Sequence, residues 1–243
     1  MPRSLPRRRG NGDGHVQSQH IVKNRILRQL SADELKSIQP WLMPKQLQPN
    51  VVLHEQGAAI DHIYFPLSGM ISLLAVMQSG EAIETGIIGA DGLLGGDAPI
   101  NGHLFANATV QLDGAALMMP KAQFLDAYHA HPHMRNLVNR YQATLLMQAR
   151  QNAACHALSV RSRLCRWLLQ SQDMIGSAIF TLTQEFLSHM LGVRRNTVSV
   201  EAHALQEAGL IRYTRGHIKI LNRDGLEDCS SRMRTRELEN LRA

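Results

Sequence analysis

The stretch LTQEFLSHMLGVRRNTVS, residues 182–199, constrains this chain more than any other. It opens as an amphipathic helix. Thr183 offers a capping oxygen, and Gln184 and Glu185 fill the first turn, where acidic charge suits the helix dipole. Phe186, Leu187, Met190 and Leu191 are spaced to face a core. Gly192 then supplies the left-handed residue that ends a helix. Val193 buries at the corner, and a second helix starts near Arg194. In it Val198, Ala202 and Leu205 fall at i, i+4 and i+7, a buried stripe. Arg195, Asn196 and Ser199 lie on the opposite side. Helix, tight turn, helix is the helix-turn-helix layout, whose second helix leads with its N-terminus into the major groove of DNA. Arg195 there can fork onto guanine, and Asn196 can pair with adenine.

The next residues extend the motif. LQEAGLIRYTRGHIKIL places two short strands around the turn TRGH, which makes a winged helix. Arg212, Arg215, His217 and Lys219 lie along this wing, where phosphate contacts are expected. Two arginines at a helix end are by themselves ordinary solvated charges. The glycine turn, the buried stripe and the basic wing together favour DNA.

Charge divides the chain in the same way. Residues 51–133 hold one basic residue, Lys121, against eight acidic ones, a net of −7. Residues 161–223 hold nine basic against four acidic, a net of +5. Two halves of opposite sign suggest two roles within a chain of net charge +6. Hydrophobic content of 44% with 19% charged residues is globular, and 243 residues suffice for one large or two modest domains. Cys155, Cys165 and Cys229 lie far apart, with neither zinc spacing nor a disulfide framework, which fits a reducing cytoplasm. No apolar run is long enough to span a membrane. Residues 1–20 read as a basic, disordered arm.

Residues 21–43 read as two short helices, the second announced by LSADEL. From Val51 to about Met119, short β-rich runs are punctuated by glycines, the pattern of a β-barrel or sandwich, with a hairpin turn at Ser79-Gly80. A long helix over 133–157 carries Met134, Val138, Tyr141, Leu145, Gln148, Asn152 and Cys155 in alternating steps of four and three. Such a seam favours pairing with a second copy over packing on its own barrel. LSVRSRLCRWLL is a further helix that buries Leu164, Trp167 and Leu168, followed by a loop, QSQDMIGSA. The domains expected are the arm 1–20, a sensor barrel 21–132, a dimerisation helix 133–157, a winged helix-turn-helix 158–226 and a tail 227–243.

On VVLHEQGAAIDHIYFPLSGMISLL, LSVRSRLCRWLL and LTQEFLSHMLGVRRNTV…LQEAGLIRYTRGHIKIL, the chain resembles Crp/Fnr-type transcription regulators over about 22–223. The resemblance implies an α+β fold: a cyclic-nucleotide-binding-like barrel of the jelly-roll (double-stranded β-helix) type, a long dimer helix and a winged helix-turn-helix. It implies a cytoplasmic homodimer that binds an inverted repeat in double-stranded DNA and contacts RNA polymerase. By position, Thr183 and Arg215 would touch phosphate, and Arg195, Asn196 and Ser199 would face bases, with Arg194 and His217 beside them. Two positions depart. Val200 stands where many members carry a base-contacting arginine, and Glu201 where an aliphatic residue is usually buried.

The effector is less legible. Cyclic-nucleotide-binding members use a glycine turn, a glutamate for ribose and an arginine for phosphate. The matching segment, GLLGGDAPINGHLFANATV, keeps the glycine at Gly92 but places Leu93 and about Ala106 at the other two positions. A pocket would involve Gly92, Leu93, Leu94, Ala106, Asn107 and Gln148, in a domain too acidic to welcome an anion. Cyclic AMP is therefore disfavoured, and a less charged ligand stays open. An iron–sulfur cluster lacks cysteine ligands before Cys155. His54, His62 and His103 are haem candidates by type only, and HAHPH (His129, His131, His133) is accounted for by a helix start as well as by a metal. No cofactor is expected, nor enzyme activity, since no G-x-S-x-G or H-E-x-x-H spacing occurs. The alternative to a regulator is a ligand-binding or protein-interaction module whose helix-turn-helix serves packing or partner docking.

Overall fold

The computed structural model describes residues 23–230, apart from 79–81, 156–157, 183 and 215. The arm 1–20, the Ser79-Gly80 turn, Thr183, Arg215 and the tail beyond 230 therefore lie outside the described residues. Two short helices, α1 (Arg25–Gln29) and α2 (Ala32–Ile38), come first. Ser31 and Glu34 form a reciprocal capping box at the start of α2, as LSADEL foreshadows.

Seven strands follow: β1 (Met43–Leu47), β2 (Val52–His54), β3 (His62–Pro66), β4 (Met70–Val76), β5 (Ala82–Ile88), β6 (Asn107–Leu112) and β7 (Gly114–Pro120). They form two antiparallel sheets, in the orders β1-β7-β3 and β2-β6-β4-β5. Alternation along β4 and β5 sends Ile71, Leu73 and Ile88 into the barrel core. It sends Met70 and Ile87 outward, into a second core shared with the C-terminal domain. Burial on both faces explains why MISLLAV reads as a continuous apolar run and not as an alternating one.

Helix α3 (Lys121–Ala130), which the sequence pattern assigns to the barrel, precedes α4 (Pro132–Cys155). Pro132 opens α4, where its missing N–H costs nothing. The seam on α4 corrects an expectation. Met134, Val138 and Tyr141 are buried in the barrel core of the same chain, and Gln148 and Cys155 are buried beyond them. A helix that closes a barrel needs an apolar stripe as much as a dimer helix does, and the spacing alone does not distinguish the two.

The C-terminal domain holds α5 (Val160–Ile175), β8 (Ile179–Thr181), α6 (Gln184–Leu191), α7 (Arg195–Glu207), β9 (Ile211–Thr214), β10 (His217–Ile220) and α8 (Arg223–Cys229). Two differences from the sequence reading stand out. Helix α5 runs through QSQDMI, read as loop, and ends at Gly176 in the left-handed conformation. The wing has a third strand, β8, so its sheet has the order β8-β10-β9. Polar residues suit the exposed side of an amphipathic helix as well as they suit a loop, and a three-residue strand carries little periodic signal.

Candidate DNA-binding face and sensor pocket

The turn between α6 and α7 is fixed from three sides. Gly192 takes φ of 60°, in the left-handed region. The Val193 N–H reaches back to the Ser188 carbonyl at 3.0 Å, closing the end of α6. Arg163 on α5 donates to the Leu191 carbonyl at 2.7 Å. Beneath the turn, Leu187, Met190 and Leu191 pack with Trp167, whose ring meets Phe186 edge-on at 5.4 Å. Val198, Ala202 and Leu205 anchor α7 in the same core, as the spacing requires.

What remains outside is the cationic tip. Arg194, Arg195 and Asn196 are exposed. Arg194 caps α7 by backbone position, its carbonyl accepting from the Thr197 N–H at 2.9 Å and its side chain making no capping bond, and the helix dipole places partial positive charge at this end. Arg195 Nε lies 3.5 Å from Gln184 Oε1, a long contact that leaves the guanidinium fork accessible. Ser199 is half-buried, and its hydroxyl donates to the Arg195 carbonyl at 3.2 Å, back into the helix. On the wing, Arg212, His217 and Lys219 are exposed while Ile211, Ile218 and Ile220 are buried, and Thr181 Oγ1 meets His217 Nδ1 at 3.2 Å. Glu201, an expected departure, ion-pairs with Arg161 of α5 at 2.8 Å, so a charge bridge stands where aliphatic packing would otherwise join the two helices.

Of the residues expected to line a sensor pocket, Leu93, Leu94 and Ala106 share the barrel core. Leu93 and Leu94 have no exposed surface and belong to the barrel core, and Ala106 is buried beside them. The Tyr141 ring lies so close to Gly92 that a β-carbon there would fall inside it, and the Gln142 amide covers Gly96 in the same way. Gln148 is buried and accepts from the Ile87 N–H at 3.3 Å, while Asn107 accepts from the Gln56 N–H at 2.7 Å. Helix α4 thus covers Gly92 and Gly96 with the Tyr141 and Gln142 side chains. The one cation type in the segment, His103, is exposed with its ring against the Gly57 carbonyl. Among the described residues no group of three or more His, Cys, Asp or Glu could hold a metal ion. No helix among them is long and apolar enough to cross a membrane.

A junction that the sequence reading missed joins the halves. Glu84 of β5 is buried where the outer face of the four-stranded sheet meets α5 and α6. It accepts from Ser72 Oγ at 2.6 Å, and Trp167 lines the same small cavity. Burial pushes its carboxyl up to about 8, against the smaller opposing effect of the Ser72 hydrogen bond and the nearby Trp167 side chain. An acid inside the apolar run AIETGII was the available signal.

Family models match both parts: a cyclic nucleotide-binding domain over residues 44–131 and a Crp-like helix-turn-helix domain over residues 162–229. Solved structures share the whole arrangement. A crp/fnr-family regulator from Eubacterium rectale superposes with a TM-score of 0.67 at 17% identity, covering 86% of this chain and 98% of that one. The c-di-GMP responsive global regulator CLP of Xanthomonas campestris gives 0.65 at 13%, covering 78% and 99%. A CRP/FNR-family transcriptional regulator from Thermus thermophilus gives 0.64 at 20%, covering 77% and 98%. No curated protein sequence matches. A sensor-type barrel joined through a long helix to a winged helix-turn-helix is the fold of a Crp/Fnr-type transcription regulator with a helix-turn-helix DNA-binding domain. The chain thus pairs a cyclic nucleotide-binding domain with a Crp-like helix-turn-helix domain.

Proposed function

We propose that the protein works as a homodimer that reads an inverted repeat in double-stranded DNA, and that its barrel does not respond to cyclic AMP. The exposed tip of α7 carries the reading: Arg195 and Asn196 face base edges, while Arg194 meets phosphate at the positive end of the helix. Thr183 and Arg215 join them by position, and His217 touches phosphate from the wing. Ser199 is the weakest member of the set, since its hydroxyl is engaged by the helix backbone.

A second seam on α4 supports the dimer. Asn136, Asn139, Ala143, Leu146, Arg150 and Ala153 are spaced by three and four, and Leu146 and Ala153 stand exposed on it. Leu146 is 53% exposed, a large apolar side chain with water as its surroundings. Two copies paired along this seam would present two α7 tips to one side of a duplex. RNA polymerase contact follows from the family alone. The filled space at Gly92 and the absence of any Lys or Arg between residues 92 and 107 support a barrel that holds no cyclic nucleotide phosphate. The effector, if one is needed, has another chemistry.

Duplex affinity measured against salt tests the DNA reading. Each neutralised phosphate releases counterions, so the affinity should fall steeply from low to physiological salt. Arg195→Ala should lower specific affinity by about 1–3 kcal/mol while leaving non-specific binding nearly unchanged. A flat salt profile would favour the docking-module alternative.

A further inference from the structure

The recognition helix carries an apolar side chain that the fold does not use. Val200 is 66% exposed. It stands two residues after Val198 and two before Ala202, both buried, so at about 100° per residue it lies opposite the buried stripe. Asn196 one turn before it and His203 one turn after it are exposed on the same face. Its neighbours on that face are polar, so it does not belong to an apolar patch of the kind that docks another protein. An exposed β-branched residue in a helix also gives up helix propensity without burying area in return.

We propose that Val200 is a specificity-determining residue that packs against the 5-methyl group of a thymine in the major groove. The inference rests on the DNA-reading role proposed for α7. The thymine methyl is the one apolar group that a base pair presents there, and a small aliphatic side chain is its complement. Arg195 at the tip and Asn196 one turn before Val200 offer hydrogen bonds, and Val200 adds a contact that hydrogen-bonding residues cannot make. The half-site then holds a thymine beneath the middle of α7, deeper in the helix than the bases reached by Arg195 and Asn196.

The test uses the full chain and the duplex recovered by selection from random DNA. Each thymine of the half-site is replaced by deoxyuridine, which removes the methyl and keeps every hydrogen-bonding group. One position should weaken the parent about fourfold per half-site, the worth of roughly one buried methyl. Val200→Ala, a substitution that favours the helix, should bind thymine and uracil duplexes equally. Equal binding of the two duplexes by the parent, a penalty that persists in Val200→Ala, or a selected half-site without thymine would each overturn the proposal. Specific binding that persists in those cases leaves the DNA reading intact. Failure of the parent to distinguish the selected duplex from a scrambled one removes both.

Discussion

Glu84 and Glu34 show how opposite environments act on one residue type. Burial dominates at Glu84 and lifts its carboxyl to about 8 from an ordinary 4.5. Burial also pushes Glu34 up, but its hydrogen bonds outweigh that. His133, the Ser31 N–H and the Met134 N–H, at 2.8, 2.8 and 2.9 Å, hold it down at about 2. The signs differ accordingly. The stabilisation from Glu84 is complete below 4.5 and is lost as pH rises through about 8, and that from Glu34 is present above 4.5 and lost as pH falls through about 2. Denaturant midpoints should therefore fall between about pH 5 and pH 8.5 for the parent and stay nearly level for Glu84→Gln. Parallel losses in the two proteins would place the sensitive group elsewhere. Glu34 was legible as an acidic residue in the first turn of a helix that starts at a serine. Its link to α4 joins residues about a hundred positions apart and leaves no local pattern. The Glu84 junction was hidden for the same reason.

Helix α4 carries the clearest lesson at the scale of the element. Its inner seam was visible as a period, but a period reports that a face is buried and not what buries it. The barrel takes that face, and the outer seam, polar but for Leu146 and small alanines, looked like an ordinary solvated surface. The two faces can be separated by substitution. Met134→Ala should cost about 2–5 kcal/mol of stability through the cavity it leaves, with the oligomeric state unchanged. Leu146→Glu should leave the melting temperature of each protomer nearly intact and shift the mass by light scattering from dimer towards monomer. A dimer that survives Leu146→Glu would move the interface off this seam. The helix-turn-helix was read from sequence with more success, because a glycine in the left-handed conformation and an i, i+4, i+7 stripe are local features. The end of α5 and the strand β8 were missed because their neighbours in the sheet and in the core, not their own residues, decide their state.

At the scale of the whole molecule, the charge division follows the architecture. The acidic part forms the barrel and the basic part the helix-turn-helix domain, a distribution that favours approach of a polyanion at one end of the chain. The two ends share a core through Met70, Ile87 and Leu112 of the barrel, packed among Trp167, Leu187 and Met190. A change in the barrel can therefore reach α6 by contact, without a separate messenger. Tyr141 and Gln142 fill the space over Gly92 and Gly96, and the proposed DNA-reading tip of α7 is exposed. The measurement to make first is selection of bound duplexes from a random pool with purified protein and no added ligand, repeated with cyclic AMP. An enriched inverted repeat with half-sites about one helical turn apart, the same with and without the nucleotide, is expected. Enrichment that appears only with cyclic AMP would contradict a barrel that does not respond to the nucleotide, and no enriched motif under either condition would contradict the exposed helix α7 as a DNA reader.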